Sequence, residues 1–352
     1  MRIRVAVCLK DIQYSNKISS YFTTHYGESV EVYSFSGLEL LQKYLDTHVM
    51  DVLLADESFD ERSVSEWPDM LIMKLVQNID SSKKDDGVIF IGKYQKASLI
   101  YREILHYCSR KKEFNVKKGS NRTIFISFSS ITGGAGATTI ATAFALYLAR
   151  QGRKVLFLNM EEFGDTSILL GKGGNYGFEE ILLALKTTNR NLAMKLQSAV
   201  SKTEEEVYFY SSCENPVDFS QLTADETREF LSAVSSLDYQ YVVMDFKIDL
   251  SERCRELMNK ADKMVLVADG TKKSKLGLER IARALGATDG IDRTRNSDKL
   301  VIFNNKVEKG KAIDISNNDI PNIGAVAFID GMDPKEITWN IAGRIECFNE
   351  LA

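Results

Sequence analysis

One run of eight residues, Thr132-Gly133-Gly134-Ala135-Gly136-Ala137-Thr138-Thr139, constrains this chain more than any other stretch. Before it lies an apolar, strand-like segment from Thr123 to Phe128, and after it a helical one from Ile140 to Arg150. A glycine-rich turn from strand to helix brings backbone N–H groups and a helix N-terminus to one point, the arrangement by which a loop cradles phosphate. Loops of this kind carry a lysine where Ala137 stands, and a methyl group cannot reach a phosphate. The sequence therefore poses two separate questions: whether the loop binds a nucleotide, and whether it hydrolyses one.

A glycine-rich turn is a weak signal without companions. The chain has 352 residues, room for about two or three domains, and 44% apolar content is ordinary for a globular protein. A net charge of −4 and a pI near 5.7 argue against broad nucleic-acid binding, so no specific nucleic acid is expected. Cys8, Cys108, Cys213, Cys254 and Cys347 are scattered without metal-ligand spacing and read as buried apolar residues with reduced thiols, which fits a cytoplasmic protein. The opening Met-Arg-Ile-Arg-Val has no apolar leader, and no run approaches the ~18 apolar residues that span a bilayer. Any membrane contact is expected to be peripheral or indirect.

Residues 1–110 alternate β-rich and helical patterns, the order of a parallel sheet wound with helices. Strands are expected at Ile3–Val7, Val30–Phe35, Asp51–Ala55, Leu71–Leu75 and Val88–Ile91, with helices from Lys17 to Thr24, Gly37 to Leu45 and Lys96 to Ser109. This is a flavodoxin-like unit. Asp56 ends one strand and Lys93 follows another, so the unit resembles a response-regulator receiver domain, in which the acid accepts a phosphoryl group and the lysine pairs with it. Phosphorylation also requires an acidic pair to hold Mg²⁺ after the first strand, and here the residues are Leu9-Lys10-Asp11. The hydroxyl expected after the fourth strand is not evident, and the fourth helix is shortened or absent. Asp56 is thus either a phospho-acceptor or a loop-capping carboxylate in a receiver-shaped docking module.

Residues 111–122 are polar, basic and aperiodic and read as a linker. From 123 to 352, further β-rich runs at Lys154–Leu158, Val207–Tyr210, Tyr241–Asp245, Met264–Ala268, Leu300–Phe303 and Ile323–Ala327 alternate with helical segments, which specifies a doubly wound α/β sheet. Asp245 ends an apolar strand, where an acid holds Mg²⁺ through water, and Thr138 offers that ion a hydroxyl. Thr139 is placed for the α-phosphate and Asn304 for the adenine edge. The nucleotide set is Gly133, Gly134, Ala135, Gly136, Ala137, Thr138, Thr139, Asn304 and Phe328, with ATP and Mg²⁺ as cofactors.

Together these residues resemble the MinD/ParA group of deviant Walker ATPases, and within it the TadZ/CpaE family, which joins an atypical receiver domain to a MinD-like P-loop NTPase fold. The likeness covers nearly the whole chain. Besides the loop it includes Glu161-Glu162-Phe163-Gly164-Asp165-Thr166, Asn215-Pro216, Asp238 to Asp245, and Ala261 to Val267. The resemblance implies an ATP-bound homodimer that marks a cell pole or the inner face of the membrane for a Tad-type (type IVc) pilus assembly and secretion machinery. It also implies an active MinD/ParA-type ATPase switch, or a phosphorylation-controlled response regulator, as alternatives.

The departures from the family concern charge. Thr132 replaces the signature lysine that reaches the partner's nucleotide, and Ala137 replaces the lysine of the β- and γ-phosphates. Where the family has Asp-x-Asp, this chain has Asn159-Met160-Glu161, leaving Glu161 as the candidate for positioning the attacking water. A charged hydrogen bond contributes about 1.5–3 kcal/mol, so losing one lysine weakens binding roughly ten- to a hundredfold. Hydrolysis suffers more, since transition-state cations contribute roughly 10³–10⁵ in rate. At most weak ATPase activity is expected unless Lys247, or Lys272, Lys273 and Lys275, substitutes. The last segment, Trp339 to Leu351, has apolar residues at helical spacing but carries Glu346 and Glu350, so it reads as a helix packed on its domain rather than one lying on anionic lipid. His25, His48 and His106 lie outside the nucleotide region, and no catalytic histidine is expected.

Overall fold

A computed structural model describes residues 2–59, 67, 70–77, 88–111, 122–174, 176–187, 192–288, 296–307, 320–344, 348–349 and 351. The chain divides into two compact units, Met1–Lys117 with Asn189–Ser198, and Lys118–Thr188 with Ala199–Ala352.

The first unit runs β1 (Ile3–Cys8), α1 (Ile12–Tyr26), β2 (Val30–Phe35), α2 (Leu38–Leu45), β3 (Val52–Asp56), β4 (Leu71–Val76), β5 (Val88–Gly92) and α3 (Ala97–Lys111). Its five strands are parallel in the order β2-β1-β3-β4-β5. Alternate residues of β1 serve opposite faces: Val5 and Val7 join Phe22, Ile100 and Ile104, while Ala6 joins Leu41 and Leu53. Helix α1 starts well before the expected Lys17 because the Asp11 side chain accepts the Tyr14 N–H at 3.0 Å, an N-cap that the polar first turn conceals from a periodicity reading. The expected loss of the fourth helix, along with the hydroxyl sought there, falls on 78–87, outside the described residues, as does the 112–121 body of the linker.

The second unit contains β6 (Ile124–Ser130), α4 (Ala137–Arg150), β7 (Val155–Asn159), α5 (Ser167–Leu170) and α6 (Phe178–Lys186). The chain then forms α7 (Leu192–Ala199), which through Ser198 belongs to the first unit and places Met194 in that unit's core. The second unit resumes with β8 (Ser201–Lys202), β9 (Val207–Phe209), α8 (Pro216–Ser220), α9 (Ala224–Ser235), β10 (Tyr241–Asp245), α10 (Glu252–Lys260) and β11 (Lys263–Ala268). Helix α11 (Lys272–Thr288), β12 (Leu300–Val307), β13 (Asn322–Ala327) and α12 (Pro334–Ala342) complete it.

The order of this eight-stranded sheet is β13-β12-β11-β6-β10-β7-β9-β8, parallel except for the short edge strand β8. Strand β8 is too short to show in an apolar pattern. Helix α4 is buried on nearly every side from Ala137 to Leu148, with alanines allowing close packing against the sheet and α12. The register aligns the carboxyl ends of the central strands: Asp245 pairs with Phe128 on one side and Asn159 on the other. Segments leaving β6, β7 and β10 therefore meet at one edge, where open α/β sheets bind ligands. Phe348 and Leu351 are buried in the same core, in agreement with a packed terminal segment, while 345–347 and 350 lie outside the described residues.

Candidate nucleotide site

The glycine-rich loop is held open by two left-handed residues, Gly134 at φ +81° and Gly136 at φ +91°. Gly136 is also the N-cap of α4, and a Cβ there would sit 2.4 Å from Asn305 Nδ2, so both conformation and space demand glycine. Behind the loop is a cavity of about 670 Å³, within the range of small-molecule sites. Gly133, Gly134, Gly136, Ala137, Thr138 and Thr139 form one part of its wall, Glu161 and Lys247 another, and Asn305, Lys306 and Phe328 a third. Ala135 is fully buried beneath the loop.

The acidic corner of the site is electrostatically unusual. Asp245 is 1% exposed, and neither carboxylate oxygen has a hydrogen bond of ordinary geometry among the described residues. Burial, and then the charge of Glu161, push its pKa up to about 7 against the opposing pull of the Thr138 hydroxyl. Glu161 is itself raised by burial, with Lys247 pulling the other way. The turn carrying Glu161 is fixed by Asn159, whose Oδ1 accepts the Glu161 N–H at 2.9 Å. A buried carboxylate with two unused oxygens, close to a hydroxyl and a second carboxylate, fits a divalent cation. Among the described residues no group of three His, Cys, Asp or Glu side chains gathers, so an ion here needs oxygens from water or phosphate to complete its shell, as Mg²⁺ accepts.

Other residues singled out in the sequence fall elsewhere. Thr132 is buried and faces the turn before α11, donating to Asp269 Oδ2 at 3.2 Å and lying 3.2 Å from Ser274 Oγ. Asn304 is 3% exposed and is not part of the cavity wall, whereas the next two residues, Asn305 and Lys306, are. Their contribution was not legible because alternation along β12 does not reveal the extra residue that it carries between Asn304 and Val307 relative to β13. Lys272 and Lys273 are exposed on α11 and, with Lys275, do not line the cavity.

In the first unit, Asp56 Oδ1 lies 3.1 Å from Lys93 Nζ, and its Oδ2 accepts the Lys10 N–H. The Tyr14 hydroxyl donates to the Lys93 carbonyl, and the Lys93 ammonium lies 5.6 Å from the Tyr14 ring centroid. Asp11, the acid remaining after β1, is engaged as the α1 cap.

Comparison with known proteins matches two separate segments of the chain. Residues 1–109 match the family model described as "TadZ-like, receiver domain", and residues 123–298 match that described as "AAA domain". No curated protein matches the sequence. Among solved structures, a ParA family ATPase from Chlorobium tepidum TLS is similar in fold, with a TM-score of 0.52 at 15% identity, covering 66% of this chain and 94% of its own. The septum site-determining protein MinD from Pyrococcus horikoshii OT3, complexed with Mg-ADP, gives 0.47 at 19% identity over 65% and 90%. A chain of the MinC:MinD cell division protein complex of Aquifex aeolicus gives 0.48 at 17% over 62% and 86%. A TadZ-like receiver domain ahead of an AAA domain with the fold of a ParA family ATPase matches the TadZ/CpaE-like architecture, and through residues 123–298 the chain belongs to the AAA-domain family.

Proposed function

We propose that this protein holds Mg²⁺-ATP as a structural ligand and acts, as a homodimer, as a localisation scaffold for a Tad-type pilus assembly and secretion machinery. The observation that carries this reading is the buried Asp245 carboxylate, which has no hydrogen bond of ordinary geometry among the described residues and faces the hydroxyl of Thr138, a residue of the cavity wall in a loop that has no lysine. Thr138 would hold Mg²⁺ directly and Asp245 through water, while the N–H groups from Gly136 to Thr139 would receive the phosphates. Magnesium supplies charge neutralisation between the phosphate oxygens and the protein carboxylates. Binding survives on amides and metal. Hydrolysis, which depends on cations at the transition state, is slow. The receiver unit serves as a docking module, because the Asp56 carboxylate is engaged by Lys93 and the Lys10 amide and no acidic pair flanks it.

The direct test is to purify the protein without added nucleotide, denature it and identify what is released. Co-purifying ATP supports the reading. No binding of Mg²⁺-ATP by calorimetry at millimolar concentration, together with self-association unchanged in Asp245→Ala, rejects it. A second reading, a slow ATPase switch, is favoured by Lys247, which lies on the cavity wall and opposes the raised pKa of Glu161. Phosphate release above background that disappears in both Glu161→Gln and Lys247→Ala would select that reading.

A further inference from the structure

Strand β12 ends in two residues that grip the phosphate loop by its carbonyl groups. Asn305 Nδ2 donates to the Ala135 carbonyl at 2.8 Å, and Lys306 Nζ donates to the Gly134 carbonyl at 2.7 Å. Reaching the loop takes an irregular backbone. The β12–β13 register shifts between Asn304 and Val307, and Lys306 adopts φ +60°, a left-handed conformation uncommon outside glycine. Asn305 Oδ1 accepts the Lys306 N–H at 3.0 Å and so holds that conformation in place. Backbone strain of this kind persists where surrounding structure enforces it, and it gathers at ligand sites.

The two grips have different consequences. A trans peptide is planar, so fixing a carbonyl also fixes the N–H on the opposite side of the same peptide. By holding the Ala135 carbonyl, Asn305 sets the direction of the Gly136 N–H. The Gly134 carbonyl shares its plane with the Ala135 N–H, which already donates to the Thr132 carbonyl at 3.2 Å. That plane is determined without Lys306. The Lys306 ammonium is exposed, lies on the cavity wall and has three protons to donate, of which the Gly134 bond uses one. Lys247, also on the wall, is committed to the neighbourhood of Glu161.

We infer that Lys306 supplies, from β12, the phosphate-binding cation that the loop lost at Ala137, with Asn305 as the positioning residue. The ligand is the polyphosphate chain of a nucleotide, and the inference rests on the nucleotide reading above.

Calorimetric titration of the full chain with Mg²⁺-ATP, Mg²⁺-ADP and AMP tests it. Lys306→Met should weaken ATP binding by about tenfold, the effect of one charged hydrogen bond, and AMP binding by less than about twofold. Lys306→Arg should retain affinity, and adding Ala137→Lys to Lys306→Met should restore it. Lys306→Gln is titrated in parallel, so that a folding defect in one neutral variant leaves the comparison intact. Unchanged ATP affinity in the neutral variants, or equal losses for ATP and AMP, overturns the role of Lys306 while leaving the nucleotide reading standing. A wild-type protein that binds none of the three overturns both.

Discussion

Thr132 donates its hydroxyl to Asp269 at 3.2 Å, so the residue at the head of the phosphate loop is fastened to the turn before α11 and does not face the cavity. Asp269 also accepts from the Thr271 hydroxyl at 2.8 Å, the Thr271 N–H at 3.1 Å and the Ser274 hydroxyl at 2.5 Å. Burial favours the neutral acid, but these donors outweigh it and hold the pKa at about 2. A depressed carboxylate stabilises the fold above its unfolded pKa of about 3.9, and that stability is lost as pH falls towards the folded value. Urea unfolding of Asp269→Asn should therefore show a deficit against wild type at pH 6 that shrinks as pH falls from about 4 towards 2. A deficit independent of pH would mean that the network does not act through this charge.

Asp245 has the opposite sign. Its pKa of about 7 in the folded chain lies above the ordinary carboxylate value, so the folded state binds more protons than the unfolded one over the interval between them. The ligand-free protein should lose stability as pH rises from about 4 to about 7. Asp245→Asn should remove that slope and stabilise the ligand-free protein at pH 8, where the wild type carries a buried charge that the amide lacks. Mg²⁺-ATP should raise the melting temperature of the wild type and leave that of the variant unmoved. Thermal melts at pH 5 and pH 8, with and without Mg²⁺-ATP, measure both effects.

Asp56 and Lys93 are both mostly buried and lie 3.1 Å apart, so they should act as a structural pair. Asp56→Asn and Lys93→Met should each destabilise the first unit by about 1–3 kcal/mol, with a coupling of about 1 kcal/mol in the double-mutant cycle. Acetyl phosphate should not label Asp56. Stable labelling that disappears in Asp56→Asn would restore the phospho-acceptor reading.

Phe348 is fully buried, its ring centroid 5.3 Å from Phe144, 5.4 Å from Tyr147 and 5.8 Å from Phe303. Phe348→Ala should cost about 3–5 kcal/mol in chemical unfolding, as other large core truncations do. It should not change sedimentation with anionic vesicles. Loss of vesicle binding at unchanged stability would show that this side chain inserts into lipid.

Most of the scaffold was legible in the sequence because its signals are local. Apolar runs such as Tyr241–Asp245 and Val52–Ala55 are strands buried on both faces of a parallel sheet, and the glycines at 134 and 136 mark the left-handed turns that the loop requires. Asp245 is read from the sequence as the end of a strand, and β10 ends there. The polar start of α1, the two-residue β8 and the membership of α7 in the first unit carry no such local signal.

The sequence by itself determined two α/β units, a phosphate loop without its lysine, and an acid at the end of the strand that became β10. Each depends on the order of residues within one short segment. Only the tertiary structure decided that Thr132 turns to Asp269, that Asp245 is buried with no hydrogen bond of ordinary geometry among the described residues, and that Asn305 and Lys306 rather than Asn304 line the cavity. Those outcomes depend on strand register and on one bulge. Ala135 and Asn305, which meet, are 170 residues apart in the chain, and no local pattern encodes their contact.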